Sequence, residues 1–147
     1  MATIPANSFT VELKNVDKLI SELQKLKADI DGAVKDAVME AALVVEREAK
    51  KNAERGGSSY PHRITSNLYN SIKVLNTTDT PGKHQADIGT DMVYGPRLEF
   101  GFIGTDSRGR RYNQGPRAFL RPAIDENEAE ILRAFEKSLE AALRKYK

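Results

Sequence analysis

The chain has 147 residues, 39% of them apolar and 30% charged, and these values fit one soluble globular domain with much exposed helix surface, too short for two domains of ordinary size. It contains no cysteine, which excludes disulfides, thiolate metal sites and thiol nucleophiles and fits folding in a reducing compartment. The net charge of +2 points to no particular partner.

Met1 to Ser8 has neither a basic start nor an apolar core, so residues 1–8 read as an N-terminal tail rather than a signal peptide. Residues 9–147 read as a single domain. No apolar run approaches the length needed to cross a bilayer, so no membrane partner is expected. Phe9, Val11 and Leu13 alternate with polar residues, a period of two that predicts a half-buried strand. Asn15 or Asp17 can cap the helix that follows. Leu19, Leu23, Leu26 and Ile30 form its apolar stripe, opposite Lys18, Glu22, Lys25 and Asp29. Asp31-Gly32 predicts a break with a new cap. A second helix is expected from Ala33 to about Ala53, with the small-residue stripe Val34, Val38, Ala41, Val45 and Ala49. Small side chains let such a helix sit close to whatever it packs on.

Glu54 to Arg63 is a loop by composition. Thr65 or Ser66 can cap a short turn holding Leu68 and Tyr69. Ile72, Val74 and Asn76 then open an extended stretch, Thr77 to Lys83 with Pro81-Gly82 is a turn, and Gln85 to Gly89 returns, which predicts a hairpin. Met92 to Phe100, interrupted by Pro96, predicts a short helix or an irregular turn. Gly101 to Gly115 reads as a long polar, mobile loop. A last helix is expected with Pro122 at its first position, acidic residues at its start, basic ones at its end, and Ile131, Phe135, Leu139, Ala142 and Tyr146 along one face. The sum is an α+β fold: a small antiparallel sheet with two or three amphipathic helices on one face, and long mobile loops.

Reactive constellations are scarce. His62 and His84 fall in segments read as loops, without companions at metal-ligand spacing, so no metal is expected. Asp87, Asp91 and Glu99, with Lys73, are the one carboxylate group near strand ends that a metal-dependent nuclease could use, but their spacing matches no motif. Gly56-Gly57 lacks the Gly-Lys-Ser/Thr ending of a nucleotide loop, and the serines lack a nucleophile-elbow context. The chain therefore reads as no enzyme, with no catalytic residue and no cofactor. Between Arg97 and Arg121 lie six arginines against Glu99 and Asp106, a local balance of +4. That run reads as a solvated loop, as a phosphate-facing loop, or as a docking loop for an acidic partner.

Three stretches in order carry a resemblance. They are Phe9-Thr-Val-Glu-Leu-Lys-Asn-Val-Asp-Lys-Leu with the alanine-rich helix after it; Leu68-Tyr-Asn-Ser-Ile72; and Ile88-Gly-Thr, then Tyr94-Gly-Pro-Arg-Leu-Glu-Phe-Gly101, then Arg117-Ala-Phe-Leu-Arg-Pro-Ala123. Together they resemble the morphogenesis and tail-component family of long-tailed phages with double-stranded DNA. Two departures stand out. Thr65-Ser66-Asn67 replaces the family's usual Thr-Gly, and the 101–115 segment is longer than its usual link. The resemblance implies a ring-forming subunit of the neck or tail-completion region. It implies contacts with a head-side adaptor or portal protein and with tail proteins, and no catalysis. Such a protein would assemble in the host cytoplasm and end in the virion. Tyr94, Leu98, Phe100, Phe119 and Leu120 are candidate fold or interface anchors. Arg108, Arg110, Arg111 and Arg117 are candidates for touching a partner protein, or DNA passing through the lumen; the competing reading is a non-specific DNA-binding module built on loop 108–121.

Overall fold

A computed structural model describes residues 14–63 and 66–147. The tail 1–8, the expected strand Phe9 to Leu13 and the candidate cap Thr65 lie outside the described residues. The fold is α+β, as the sequence predicts.

One helix, α1 (Val16–Glu54, 39 residues), replaces the two that Asp31-Gly32 was expected to separate. A helix of that length is about 60 Å long. A single interior glycine costs it only about 1 kcal/mol relative to alanine, and burial of Ala33 and Ala37 just beyond Gly32, with the Asp31–Gly82 hydrogen bond just before it, offsets that cost. Asp31 caps nothing. Its carboxylate instead accepts the Gly82 backbone N–H at 2.8 Å. Asn15 occupies the N-cap position in a left-handed conformation (φ 65°), but its side chain makes no cap hydrogen bond.

Every buried residue of α1 lies at or beyond Ala33: Ala33, Ala37, Ala41, Ala42, Val45, Ala49, Asn52 and Ala53. The inward stripe therefore matches the sequence reading at Ala41, Val45 and Ala49 but starts on Ala33 and Ala37, with Val34 and Val38 only half-buried. Methyl groups hold little space, so partners approach the helix backbone closely.

Those partners come from the rest of the chain. A short helix α2 (Asn67–Ser71) delivers Leu68, and Ile72 follows it fully buried. Strands β1 (Lys73–Thr80) and β2 (Lys83–Gly89) pair antiparallel around Pro81-Gly82, with Val74 opposite Ile88 and a bulge at Leu75. The hairpin is the predicted one, with a tighter turn because β1 runs to Thr80. Helix α3 (Gly95–Phe100) comes next. Residues 101–115 are not a loop: β3 (Phe102–Thr105) and β4 (Arg111–Gln114) form a second antiparallel hairpin. The expected single sheet is thus two separate two-stranded sheets.

The predicted terminal helix is also divided, into α4 (Leu120–Asp125) and α5 (Glu128–Leu143), followed by a 3-10 turn at Arg144–Tyr146. Pro122 is the third residue of α4, where its missing N–H still falls among the unbonded donors of the first turn. Between the helices, Asn127 Nδ2 donates to the Ala123 carbonyl at 3.0 Å, and the Asn127 carbonyl accepts from Glu130 and Ile131. Ile131, Phe135, Leu139 and Ala142 are half-buried, so the predicted face is the inward one, while Tyr146 is exposed.

The core gathers at the C-terminal half of α1. Val45, Ala49 and Ala53 meet Leu68, Ile72, Phe119 and Ala123, with Ile88, Leu98, Leu120 and Ile131 around them. Phe119 and Ile72 are the largest fully buried side chains. Asn52 Nδ2 donates to the Phe119 carbonyl at 3.2 Å and so fixes the entry to α4.

His84 corrects its reading as an exposed loop residue. It lies in β2 with a side chain only 5% exposed. One ring nitrogen meets Asp31 at 3.0 Å and the other Asp79 at 2.7 Å. Lys35 pairs with Asp79 from α1. Two carboxylates on two ring nitrogens favour the imidazolium, so the hydrogen bond to Asp31, then that to Asp79, raises the His84 pKa. Asp31 is lowered, chiefly by His84 and then by the Gly82 N–H; Asp79 is lowered, chiefly by Lys35 and then by His84.

Two outcomes are expected. Phe119→Ala should cost roughly 3–5 kcal/mol in denaturant unfolding, because the surrounding backbone cannot close over the void. The tie between the first hairpin and α1 should be complete between about pH 4 and 6.5, where the carboxylates are ionised and the imidazole is charged in both folded and unfolded chains. It should weaken as pH rises through the raised His84 pKa, and again as pH falls through the lowered Asp values. Hydrogen exchange of β1 and β2 amides should therefore accelerate above neutral pH beyond the ordinary base-catalysed trend, and His84→Gln should remove that excess.

Candidate docking site

The motif running from Tyr94 to Gly101 builds a platform for the second hairpin. Gly101 has φ +78°, and a Cβ there would lie 2.7 Å from the Gln114 carbonyl oxygen and 3.0 Å from the Pro116 nitrogen. Only glycine allows that backbone crossing. Just beyond it, the Arg117 N–H donates to the Leu98 carbonyl at 2.7 Å and closes the base of the hairpin.

Glu99 does the work of a missing cap. Helix α4 has no side-chain cap of its own at Phe119. The Glu99 carboxylate accepts the backbone N–H groups of Phe119, Leu120 and Arg121 at 2.9, 3.0 and 2.8 Å. A carboxylate at a helix N-terminus satisfies orphan donors and meets the positive end of the dipole.

Hairpin β3–β4 has two unlike faces. Phe102 and Tyr112 lie on one, their ring centroids 6.0 Å apart, with the Arg97 guanidinium 4.2 Å above the Phe102 ring. The other face carries Ile103, Thr105, Arg111 and Asn113, all exposed. At the tip, Asp106 Oδ1 accepts the N–H groups of Arg108 and Arg110, both at 2.9 Å. Its Oδ2 accepts from Arg110 Nε at 2.7 Å and from the Tyr112 hydroxyl at 3.1 Å. These donors, the Arg110 N–H foremost, lower the Asp106 pKa. A hairpin of two short strands is marginal alone; this turn network and the Gly101 crossing give it a fixed shape.

The candidate residues divide clearly. Phe119 is buried, and Leu98 and Leu120 are half-buried against the core, so these three hold the fold. Phe100 is 78% exposed and Tyr94 41%, so neither anchors the platform to the body. Val93 and Ile103, 93% and 82% exposed, add two more open apolar side chains to the same stretch of chain. Among the described residues, Arg110 is the tip arginine held in an ion pair, while Arg108 and Arg111 are exposed without one. Arg117 lies apart from the tip. With Tyr94, Leu98, His62, Leu68 and Gln114 it lines a cavity of about 450 Å³ beside the hairpin base. The 55–63 loop borders this region and is tied down: Gly56 N–H donates to the Pro61 carbonyl at 2.8 Å, and the Tyr60 hydroxyl to Glu126 at 3.0 Å.

The nuclease grouping does not form. Asp87 accepts from Gln85, Asp91 pairs with Lys73 at 3.5 Å, and Glu99 is committed to α4. Among the described residues, no three His, Cys, Asp or Glu side chains come together to hold a metal ion. None of the described helices is long and apolar enough to cross a membrane. Sequence reasoning missed the roles of Glu99 and Asp106. The signal for the second was present in Asp106-Ser-Arg-Gly109, a turn pattern between short alternating segments.

The family model described as "Bacteriophage HK97-gp10, putative tail-component" matches residues 17–101. That is more than half of the chain. The chain belongs to the HK97-gp10-like family. No curated protein and no solved structure matches it. The family match covers α1 through α3 and ends at the Gly101 crossing, so the second hairpin and helices α4 and α5 lie beyond it.

Glu99→Ala should destabilise the fold by about 1–2 kcal/mol through loss of the cap, measured by chemical denaturation. Glu99→Gln, which keeps an acceptor oxygen but no charge, should lose less. Equal stability for all three proteins would show that the cap contributes nothing.

Proposed function

We propose that this tail-component protein is a ring-forming structural joint of the phage neck, which helps connect the tail to the head and catalyses no reaction. Copies would pack head to tail around the particle axis, and closure of the rotation would leave a central passage. Its partners would be other copies of itself, a head-side adaptor or portal protein, and tail proteins. It would assemble in the host cytoplasm and remain in the mature virion.

The observation that carries this reading is the apolar surface at the platform. Val93, Phe100 and Ile103 are nearly fully exposed, Tyr94 partly so, and they flank a hairpin held in shape by its own hydrogen bonds. Single exposed apolar residues are ordinary on any protein, whereas several large ones along one ordered segment mark a contact surface. Such a surface stays covered in an assembly that does not come apart, and obligate interfaces are apolar in this way.

A second reading has one observation in its favour. Among the described residues, Arg108 and Arg111 are exposed at the hairpin tip without a carboxylate partner. Two such charges suit non-specific contact with DNA in the passage.

The readings separate in one set of measurements. The purified chain, alone or mixed with its head-side partner, should show self-association by light scattering. A strict monomer in both conditions would contradict the joint. The pair Arg108→Gln, Arg111→Gln leaves the Asp106–Arg110 turn intact. If the tip binds DNA, this variant should lower the slope of log affinity against log salt by about 2. Should the wild-type chain fail to retain DNA at low salt, the second reading falls and the first is untouched.

A further inference from the structure

Helix α1 leaves the body before it begins. From Val16 to Gly32 it has no buried residue, and its first buried side chain is Ala33. The part from Val16 to Ala28 is roughly 20 Å of helix, ahead of Asp29, where Lys145 pairs with it at 2.8 Å. A free helix of that length is marginal in water unless an apolar face finds a partner.

This arm has such a face. Val16, Leu19, Leu23, Leu26 and Ile30 alternate at spacings of three and four, the a and d positions of a heptad repeat. The stripe continues into Ala33 and Ala37, which are buried in the body, so the core-facing line of the helix runs out past the core. Among the described residues it is open at its middle, where Leu19 is 55% and Leu23 54% exposed with Ile20 beside them at 46%, while Val16, Leu26 and Ile30 are half-buried.

The flanking charges select an occupant. Glu22 occupies the g position and Lys27 the following e position, and both are exposed. In a parallel pair each g side chain faces the next e side chain of the other helix, so Glu22 of one copy meets Lys27 of the other, twice over. An antiparallel pair would set Glu22 against Glu22 and Lys27 against Lys27. Two of the three a positions, Val16 and Ile30, are β-branched, the third is Leu23, and both d positions, Leu19 and Leu26, are leucine, so it is chiefly the Glu22–Lys27 charges that select a parallel pair.

We infer that the α1 arm is a self-pairing element, and that the arms of two copies wind in parallel through this stripe. The inference rests on the self-assembly proposed above and adds to its head-to-tail contact a second, two-fold contact that joins copies in pairs. Two heptads give a weak contact, so the arm aids assembly without being its whole interface.

The test uses the full-length chain and follows its mass against concentration by light scattering, with far-ultraviolet circular dichroism to confirm folding. Leu19→Glu with Leu23→Glu should raise the concentration for half-association by at least about tenfold, as two apolar side chains at the seam are replaced by charges. Glu22→Lys alone and Lys27→Glu alone should each weaken association by about two- to fivefold. The double exchange should restore it, since the pair is then reversed rather than removed. Both exchanged residues are exposed and neither belongs to the core, but Lys27 borders the Pro81–His84 turn beside Asp31, so the denaturant midpoint of Lys27→Glu is measured alongside its association. Unaltered association in every variant would overturn the arm and leave the joint standing. Equal weakening in the single and double exchanges would also overturn the parallel pairing. A wild-type chain that never associates would overturn both.

Discussion

The fold depends on how closely other elements can approach the backbone of α1. Ala37 and Ala49 are wholly buried, and Ala33, Ala41, Ala42 and Ala53 nearly so. A methyl-lined face has almost no side-chain volume to interdigitate, so its partners must bring the bulk. Phe119 and Ile72 do this, and both are fully buried. The same constraint explains the distribution of order along the chain. Where the alanines are, α2, the first hairpin, α4 and α5 gather; before Ala33 the helix carries leucines instead and has no buried residue, held to the body by polar contacts at Asp29 and Asp31. Larger residues on the inner face would push the partners outward, and a small domain has little stability in reserve against such gaps.

Two carboxylates then convert a packed helix into a scaffold for something that projects. Glu99 ties α3 to the start of α4, whose Phe119 fills the core. Asp106 folds the tip of the second hairpin on itself. Between them, Gly101 lets the chain cross its own return path. The line of force therefore runs from the alanine face through Phe119 and Glu99 to α3, and from α3 to the exposed Phe100 and Ile103. Rigidity of the platform matters for docking, since a preordered surface loses less conformational freedom on contact than a mobile one.

Much of this was legible in the residues, and the failures have physical causes. The first hairpin, the inward face of α5, the Ala41, Val45 and Ala49 part of the α1 face, and the α+β class follow from periodicity and turn chemistry, whereas the expected stripe from Leu19 to Ile30 has no buried residue. Gly32 misled because a local break signal competes with packing along a long helix, and packing prevailed. The segment 101–115 misled because its charge and glycine content read as mobility, while its order comes from Asp106, a single residue whose four hydrogen bonds no composition reveals. Glu99 could not be placed because its three partners lie about twenty residues away and are backbone groups, which have no sequence identity. His84 was hidden for a similar reason: its environment is made by Asp31, fifty-three positions earlier, and by Asp79 across the strand pair. Of the apolar candidates, burial separates Phe119 from Phe100, two phenylalanines in similar company that end at opposite extremes of exposure.

The central claim is that the exposed face around Ile103 exists to be covered by another protein of the particle. Because the chain has no cysteine, Ile103→Cys gives a single thiol at a position 82% exposed in the free chain. Labelling with a maleimide should be rapid in the isolated protein and slowed at least about tenfold in assembled particles. A thiol that reacts equally fast in both would show the face to be open in the particle and would contradict the account.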